Sequence, residues 1–133
     1  MTRRAQSDPL RVVVADDDPG FAEFLATIVD ANERYEVIGI AADGEEAVQL
    51  SVWQDADVVL MDIDMPKIDG LQAMQLLRKG KPRTCVLLVS GLDDERVEEA
   101  KAAGAFAYIP KSRAAVDIEL VLRLVEHESE VKA

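Results

Sequence analysis

The chain has 133 residues and a net charge of −11, from 15 Lys and Arg against 26 Asp and Glu. That length, with 49% hydrophobic and 31% charged residues, suits one soluble globular domain whose core needs no disulfide or metal staple. The same figures exclude collagen-like, low-complexity and long coiled-coil chains, and the acidity opposes direct contact with a nucleic-acid backbone or an anionic membrane.

No apolar run approaches the ~20 residues of a membrane-crossing helix. Residues 1–8 are polar and basic, without the apolar stretch of a secretory leader. Cys85 is the single cysteine, so no internal disulfide can form. A reducing, cytoplasmic setting is expected, with Cys85 a buried, inert thiol.

In chain order, a β-branched run at Arg11 to Ala15 predicts the first strand. Asp18-Pro19 then reads as a helix cap followed by proline at the first helical position. Phe21, Phe24, Leu25, Ile28 and Val29 recur at helical spacing and predict one apolar stripe. Tyr35 to Ala41 predicts the second strand. Asp43-Gly44 opens a second helix through Ala47 and Leu50, with Trp53 packing at its end. Val58 to Met61 is the third strand. Asp69-Gly70 reads as turn and capping chemistry for a third helix, with Leu71, Met74 and Leu77 inward and a stop at Gly80-Lys81-Pro82. Cys85 to Val89 is the fourth strand. The fourth helix is expected from about Asp93 to Ala103, offering only Val97, Ala100 and Ala103 to the core. Phe106 to Ile109 is the fifth strand, and the fifth helix runs from about Ala114 to His127.

The strands are apolar throughout rather than alternating, as strands buried on both faces of a parallel sheet are. Five such βα units in a short chain predict an α/β, doubly wound (βα)5 sandwich with right-handed crossovers. In that architecture ligands sit at the carboxyl ends of the strands, where the strand order reverses. The first strand ends in Asp16-Asp17-Asp18 and the third in Asp62-Ile63-Asp64. The fourth ends in Ser90-Gly91 and the fifth in Pro110-Lys111-Ser112. Clustered carboxylates repel unless a cation intervenes, and a small oxygen-lined site suits Mg²⁺. One carboxylate can then attack phosphorus while the metal, a lysine and a rotatable hydroxyl neutralise the phosphoryl oxygens.

The segments VVVADDDP (12–19), VVLMDIDMPKIDG (58–70), LLVSG (87–91) and AGAFAYIPKS (103–112) together resemble the receiver domain of two-component response regulators. The resemblance runs from about Leu10 to Val125. It implies a flavodoxin-like three-layer sandwich with a five-stranded sheet in the order 2-1-3-4-5. It also implies one domain over residues 10–127, with flexible termini at 1–9 and 128–133. By that resemblance Asp62 matches the phospho-accepting aspartate. Asp17 matches the direct Mg²⁺ ligand, Asp16 the ligand acting through water, and Asp64 the residue that offers its backbone carbonyl to the metal. Ser90 and Tyr108 match the switch pair and Lys111 the family lysine. The implied donor is the phosphohistidine of a sensor kinase or phosphotransfer protein, and the implied chemistry is self-catalysed phosphotransfer and hydrolysis rather than enzymatic turnover. Here proline precedes the lysine and Ser112 follows it, closer to the subfamily that often carries helix-turn-helix output domains. The Asp64 carboxylate, two residues past the acceptor, is expected to alter the dephosphorylation rate.

Two rivals are weaker. Haloacid-dehalogenase-like phosphatases also use an aspartyl phosphate, but their acidic pair follows the lysine, whereas here Asp16-Asp17 comes first. A flavin or nucleotide module needs a phosphate loop after the first strand, and Asp16-Asp17-Asp18 would repel that phosphate. On the fifth helix Ile118, Val121, Leu122 and Val125 form the expected core stripe. Val116, Leu120 and Leu124 form a second stripe nearly opposite, which suggests a surface for a homodimer mate or an output domain. His127 reads as a solvated helix-end residue.

Overall fold

The computed structural model describes residues 8–91 and 95–132. The elements alternate as β1 (Leu10–Ala15), α1 (Pro19–Asp30), β2 (Tyr35–Ala41), α2 (Gly44–Trp53), β3 (Val58–Met61), α3 (Gly70–Gly80), β4 (Cys85–Ser90), α4 (Glu95–Ala102), β5 (Ala107–Pro110) and α5 (Ala114–Lys132), with a 3-10 turn at Lys111–Arg113. The strands form one parallel sheet in the order β2-β1-β3-β4-β5. This is the expected doubly wound, flavodoxin-like (βα)5 sandwich.

Alternation along the strands divides the core in two. Val12, Val14, Val58, Leu60, Leu87 and Val89 face α1 and α5, meeting Leu25, Val29, Ile118 and Leu122. Val13, Ala15, Val59, Met61, Val86 and Leu88 face the other way, against Ala47 of α2, Met74 and Leu77 of α3, and Val97 and Ala100 of α4. Both sheet faces are therefore covered, which is why the strands carry no polar alternation.

Several expectations shift in detail. Phe24 is 44% exposed, because Ala22, Leu25 and Val29 form the buried arc of α1 and Phe24 stands well round the helix from it. Trp53 is 75% exposed and does not pack: Gly44, Ala47 and Ser51 line the buried face of α2, and Trp53 falls opposite them. Cys85 is only half-buried at the start of β4. β5 begins one residue later than expected and takes in Pro110, tolerated because β5 is an edge strand. Residues 93–94, where α4 was expected to begin, lie outside the described residues, and Ala103 is exposed beyond its end. α5 continues to Lys132, past the expected stop at His127, since no Gly or Pro interrupts it; residues 1–7 of the expected flexible terminus lie outside the described residues. Among the described residues no helix is long and apolar enough to cross a membrane.

Candidate functional site

The β1–α1 loop builds one wall. Asp16 extends the ladder beyond β1, its N–H donating to Ala41 O at 3.0 Å. Its Oδ1 accepts from the Asp18 N–H at 2.9 Å, which turns the chain into the helix. Asp18 caps α1, its Oδ1 accepting from the N–H groups of Gly20 (3.1 Å) and Phe21 (3.4 Å). Asp16 is thus buried and Asp17 exposed at the rim.

The β3–α3 loop builds the second wall. Asp62 is 6% exposed, and its N–H donates to Ala15 O at 3.0 Å. Ile63 and Met65 turn into the core, so Asp64 between them turns out to solvent. The loop closes tightly on itself: the Gly70 N–H donates to Ile63 O at 2.8 Å, and a Cβ on Gly70 would stand 2.1 Å from Asp62 O. Only glycine fits there. Asp69 then starts α3 with a reciprocal capping box to Gln72.

Lys111 reaches in from the end of β5. Its Nζ lies 2.9 Å from Asp16 Oδ2 and 3.2 Å from Asp62 Oδ2, and 4.6 Å from the centroid of the Phe21 ring. Ser90 is buried at the end of β4, opposite Pro110 in the ladder. The Tyr108 hydroxyl donates to Ser90 O at 3.5 Å, so this ring lies inward along the β4–β5 edge.

The charges are under tension. Burial, and next the neighbouring Asp16 carboxylate, push Asp62 above the usual carboxylate range, with the Lys111 ammonium pulling the other way. For Lys111 burial alone would lower the value, but Asp16 and Asp62 outweigh it and hold the ammonium above the usual lysine range. Carboxylate oxygens of Asp16, Asp17 and Asp62 lie within 4.8 Å of one another. Asp16 Oδ2 is a buried atom with no hydrogen-bond partner; the nearby ammonium meets it by charge, outside hydrogen-bond alignment. Three clustered carboxylates with hard oxygens and a single ammonium between two of them fit a small divalent cation such as Mg²⁺.

The strand ends therefore bring Asp16, Asp17, Asp62 and Lys111 together and set Ser90 and Tyr108 alongside. The Asp64 side chain goes elsewhere: it accepts from Arg96 of α4 at 2.6 Å, across the mouth of the site. Sequence reasoning missed two neighbours. Arg96 had no signal beyond being one cation in an acidic helix. Phe21 was read as core, and its position in the first turn after the aspartates was the available clue. Val116, Leu120 and Leu124 are exposed on α5, as expected, at 67%, 58% and 52%.

The response regulator receiver domain model matches residues 12–123. The chain is 36% identical over 115 residues to the transcriptional regulatory protein LiaR of Bacillus subtilis, an alignment covering 86% of this chain and 54% of LiaR. It is also 36% identical over 112 residues to a protein-glutamate methylesterase/protein-glutamine glutaminase of Thermotoga maritima, covering 82% of this chain and 32% of that protein. Among solved structures it superposes on the REC domain of AraT, a response regulator from Geobacillus stearothermophilus, with TM-score 0.85 and 30% identity, covering 92% of this chain and 97% of that one. The chain thus spans about half of the first relative and a third of the second. Nothing in these likenesses supports the haloacid-dehalogenase reading. With its fold, its acidic strand ends and this match, the chain belongs to the response regulator receiver domain family of two-component signalling.

Proposed function

We propose that Asp62 is the phosphoryl acceptor of this receiver domain. The observation that carries the reading is the convergence of the Asp16, Asp17 and Asp62 oxygens within 4.8 Å, with the Lys111 ammonium 3.2 Å from the buried Asp62 carboxylate. An Asp62 oxygen attacks phosphorus as the P–N bond to the donor's imidazole breaks. The imidazole departs with its electron pair and takes up a proton, leaving an acyl phosphate on Asp62. Lys111 neutralises charge on the transferring group, and the Ser90 hydroxyl donates to one of its oxygens. Tyr108, packed at Ser90, follows that movement and carries it to α4, β5 and α5. Water later attacks the acyl phosphate, releasing inorganic phosphate and restoring Asp62.

Asp16, Asp17 and Asp62, with the backbone carbonyl of Asp64, would hold Mg²⁺ here. When bound, the ion supplies positive charge to the phosphoryl oxygens. The partner is a sensor histidine kinase or phosphotransfer protein in the cytoplasm. The exposed stripe of α5 receives a second copy of the chain or an output domain, and the chemistry is self-catalysed rather than enzymatic turnover.

Intact-mass spectrometry after incubation with acetyl phosphate and Mg²⁺ tests the reading, beside Asp62→Ala. Gain of one phosphoryl mass in the wild type alone is expected. No gain with acetyl phosphate, and none with a phosphohistidine donor, would remove Asp62 as acceptor.

A further inference from the structure

From the contact between the Lys111 ammonium and the Phe21 ring we infer that Phe21 is a positioning residue for the site lysine. The inference rests on the reading of Asp62 as acceptor with Lys111 beside it. The ammonium lies 4.6 Å from the ring centroid, within the ~6 Å reach of a cation–π contact. Its other neighbours are Asp16 Oδ2 and Asp62 Oδ2. The two carboxylates and the ring face bracket the end of a long, flexible side chain.

The ring is itself fixed to the acidic loop. Asp18 accepts from the Phe21 N–H with its side chain and donates its own N–H to Asp16 Oδ1. Ring and carboxylate therefore share one short frame, and displacement of that loop moves both faces of the lysine's cradle together. On its outer side Phe21 meets Phe24, with centroids 5.6 Å apart and planes at 43°. Phe21 is half-buried against the α1/α5 core, a place that any apolar side chain of similar size could fill. Packing alone does not call for an aromatic ring; a cation above its face does.

The role has a signature that packing lacks. Fluorine atoms drain the negative face of the ring while nearly preserving its shape. Introducing 4-fluoro-, 3,5-difluoro- and 3,4,5-trifluorophenylalanine at position 21 should lower the rate of Asp62 phosphorylation by acetyl phosphate in graded steps, with Mg²⁺ affinity by calorimetry unchanged. Phe21→Leu should lower the rate by roughly 3–10-fold, and Phe21→Tyr should retain it. Independently of phosphorylation, NMR should find the Lys111 Hε protons upfield-shifted and inequivalent in the wild type, and averaged to ordinary values in Phe21→Leu. Flat rates across the fluorine series, or Hε shifts indifferent to the loss of the ring, would overturn the positioning role. A wild type that takes no phosphoryl group at all would instead strike the acceptor reading, and the Hε shifts would still decide the contact.

Discussion

Two buried carboxylates, Asp16 and Asp62, share the single ammonium of Lys111. Asp62 is held above its ordinary range by burial first and by Asp16 second, so its ionised form is less stable folded than unfolded. Between the unfolded value near 3.8 and the higher folded value, the folded state binds the extra proton. Stability therefore rises as pH falls through that window, and the penalty is complete only above the folded value. Asp62→Asn keeps the shape and deletes the charge. It is expected to raise the melting temperature of the Mg²⁺-free protein at pH 7 by roughly 2–5 °C. The gain should shrink as pH falls and vanish below the unfolded carboxylate range. Saturating Mg²⁺ should abolish it at neutral pH by supplying the missing countercharge. Calorimetric melts at several pH values, with and without Mg²⁺, check all three; a destabilised variant at pH 7 would mean that Lys111 more than compensates Asp62.

Among the elements, α4 is the least anchored of the described helices that line the site, burying only Val97 and Ala100, and its Arg96 reaches back to Asp64. Both side chains of this pair are exposed, so it contributes at most about 1 kcal/mol, yet it fixes which way a carboxylate at the mouth of the site points. The proposed acceptor role of Asp62 makes the Asp64 carboxylate, once released from Arg96, a candidate to orient the attacking water. Arg96→Ala should thus shorten the acyl-phosphate lifetime by up to about fivefold, the ceiling for an exposed pair. Asp64→Asn should cancel that effect in the double variant, and equal lifetimes in all four proteins would end the idea. The strands and helix starts were legible in sequence because burial on both sheet faces forces uninterrupted apolar runs, and because Asp18, Asp43 and Asp69 each cap a helix through their own side chains. Phe24 and Trp53 fail for different reasons. Phe24 is at the edge of the predicted stripe, and the buried arc of α1 is turned away from it toward Ala22. The hydrophobicity of Trp53 marks a candidate for burial that its angle around the helix axis points away from the sheet. The converging aspartates could be found from strand ends alone. The Arg96–Asp64 and Lys111–Phe21 contacts join residues far apart in the chain; the place of Phe21 just after the aspartates hints at the second, and no local pattern announces the first.

At the scale of the whole molecule, the site lies at one end of the sheet while the apolar stripe of α5 lies on the outer surface. The core face of α5 is complete without that stripe, with Ile118, Leu122 and Val125 buried. Val116, Leu120 and Leu124 lie one helical turn apart along the exposed side, flanked by the Glu119–Arg123 pair. The pattern is self-complementary. Two copies of α5 packed antiparallel about Leu120 set Val116 against Leu124 of the other copy, and Arg123 beside the other copy's Glu119. The pair within one helix can then become two pairs between helices at little electrostatic cost, while the apolar stripes leave water. On the proposed reading, phosphorylation at Asp62 would add charge beside Lys111 at the end of β5, just ahead of α5, so association through this face should strengthen in the phosphorylated protein. Light scattering should give a larger mass for the wild type after acetyl phosphate than before. Leu120→Lys with Leu124→Lys should stay at the monomer mass while still gaining its phosphoryl group, because neither residue approaches the acidic cluster. A double variant that associates as the wild type does would clear α5 of this role, and one that fails to take the phosphoryl group would instead mean that the outer face of α5 supports the site itself.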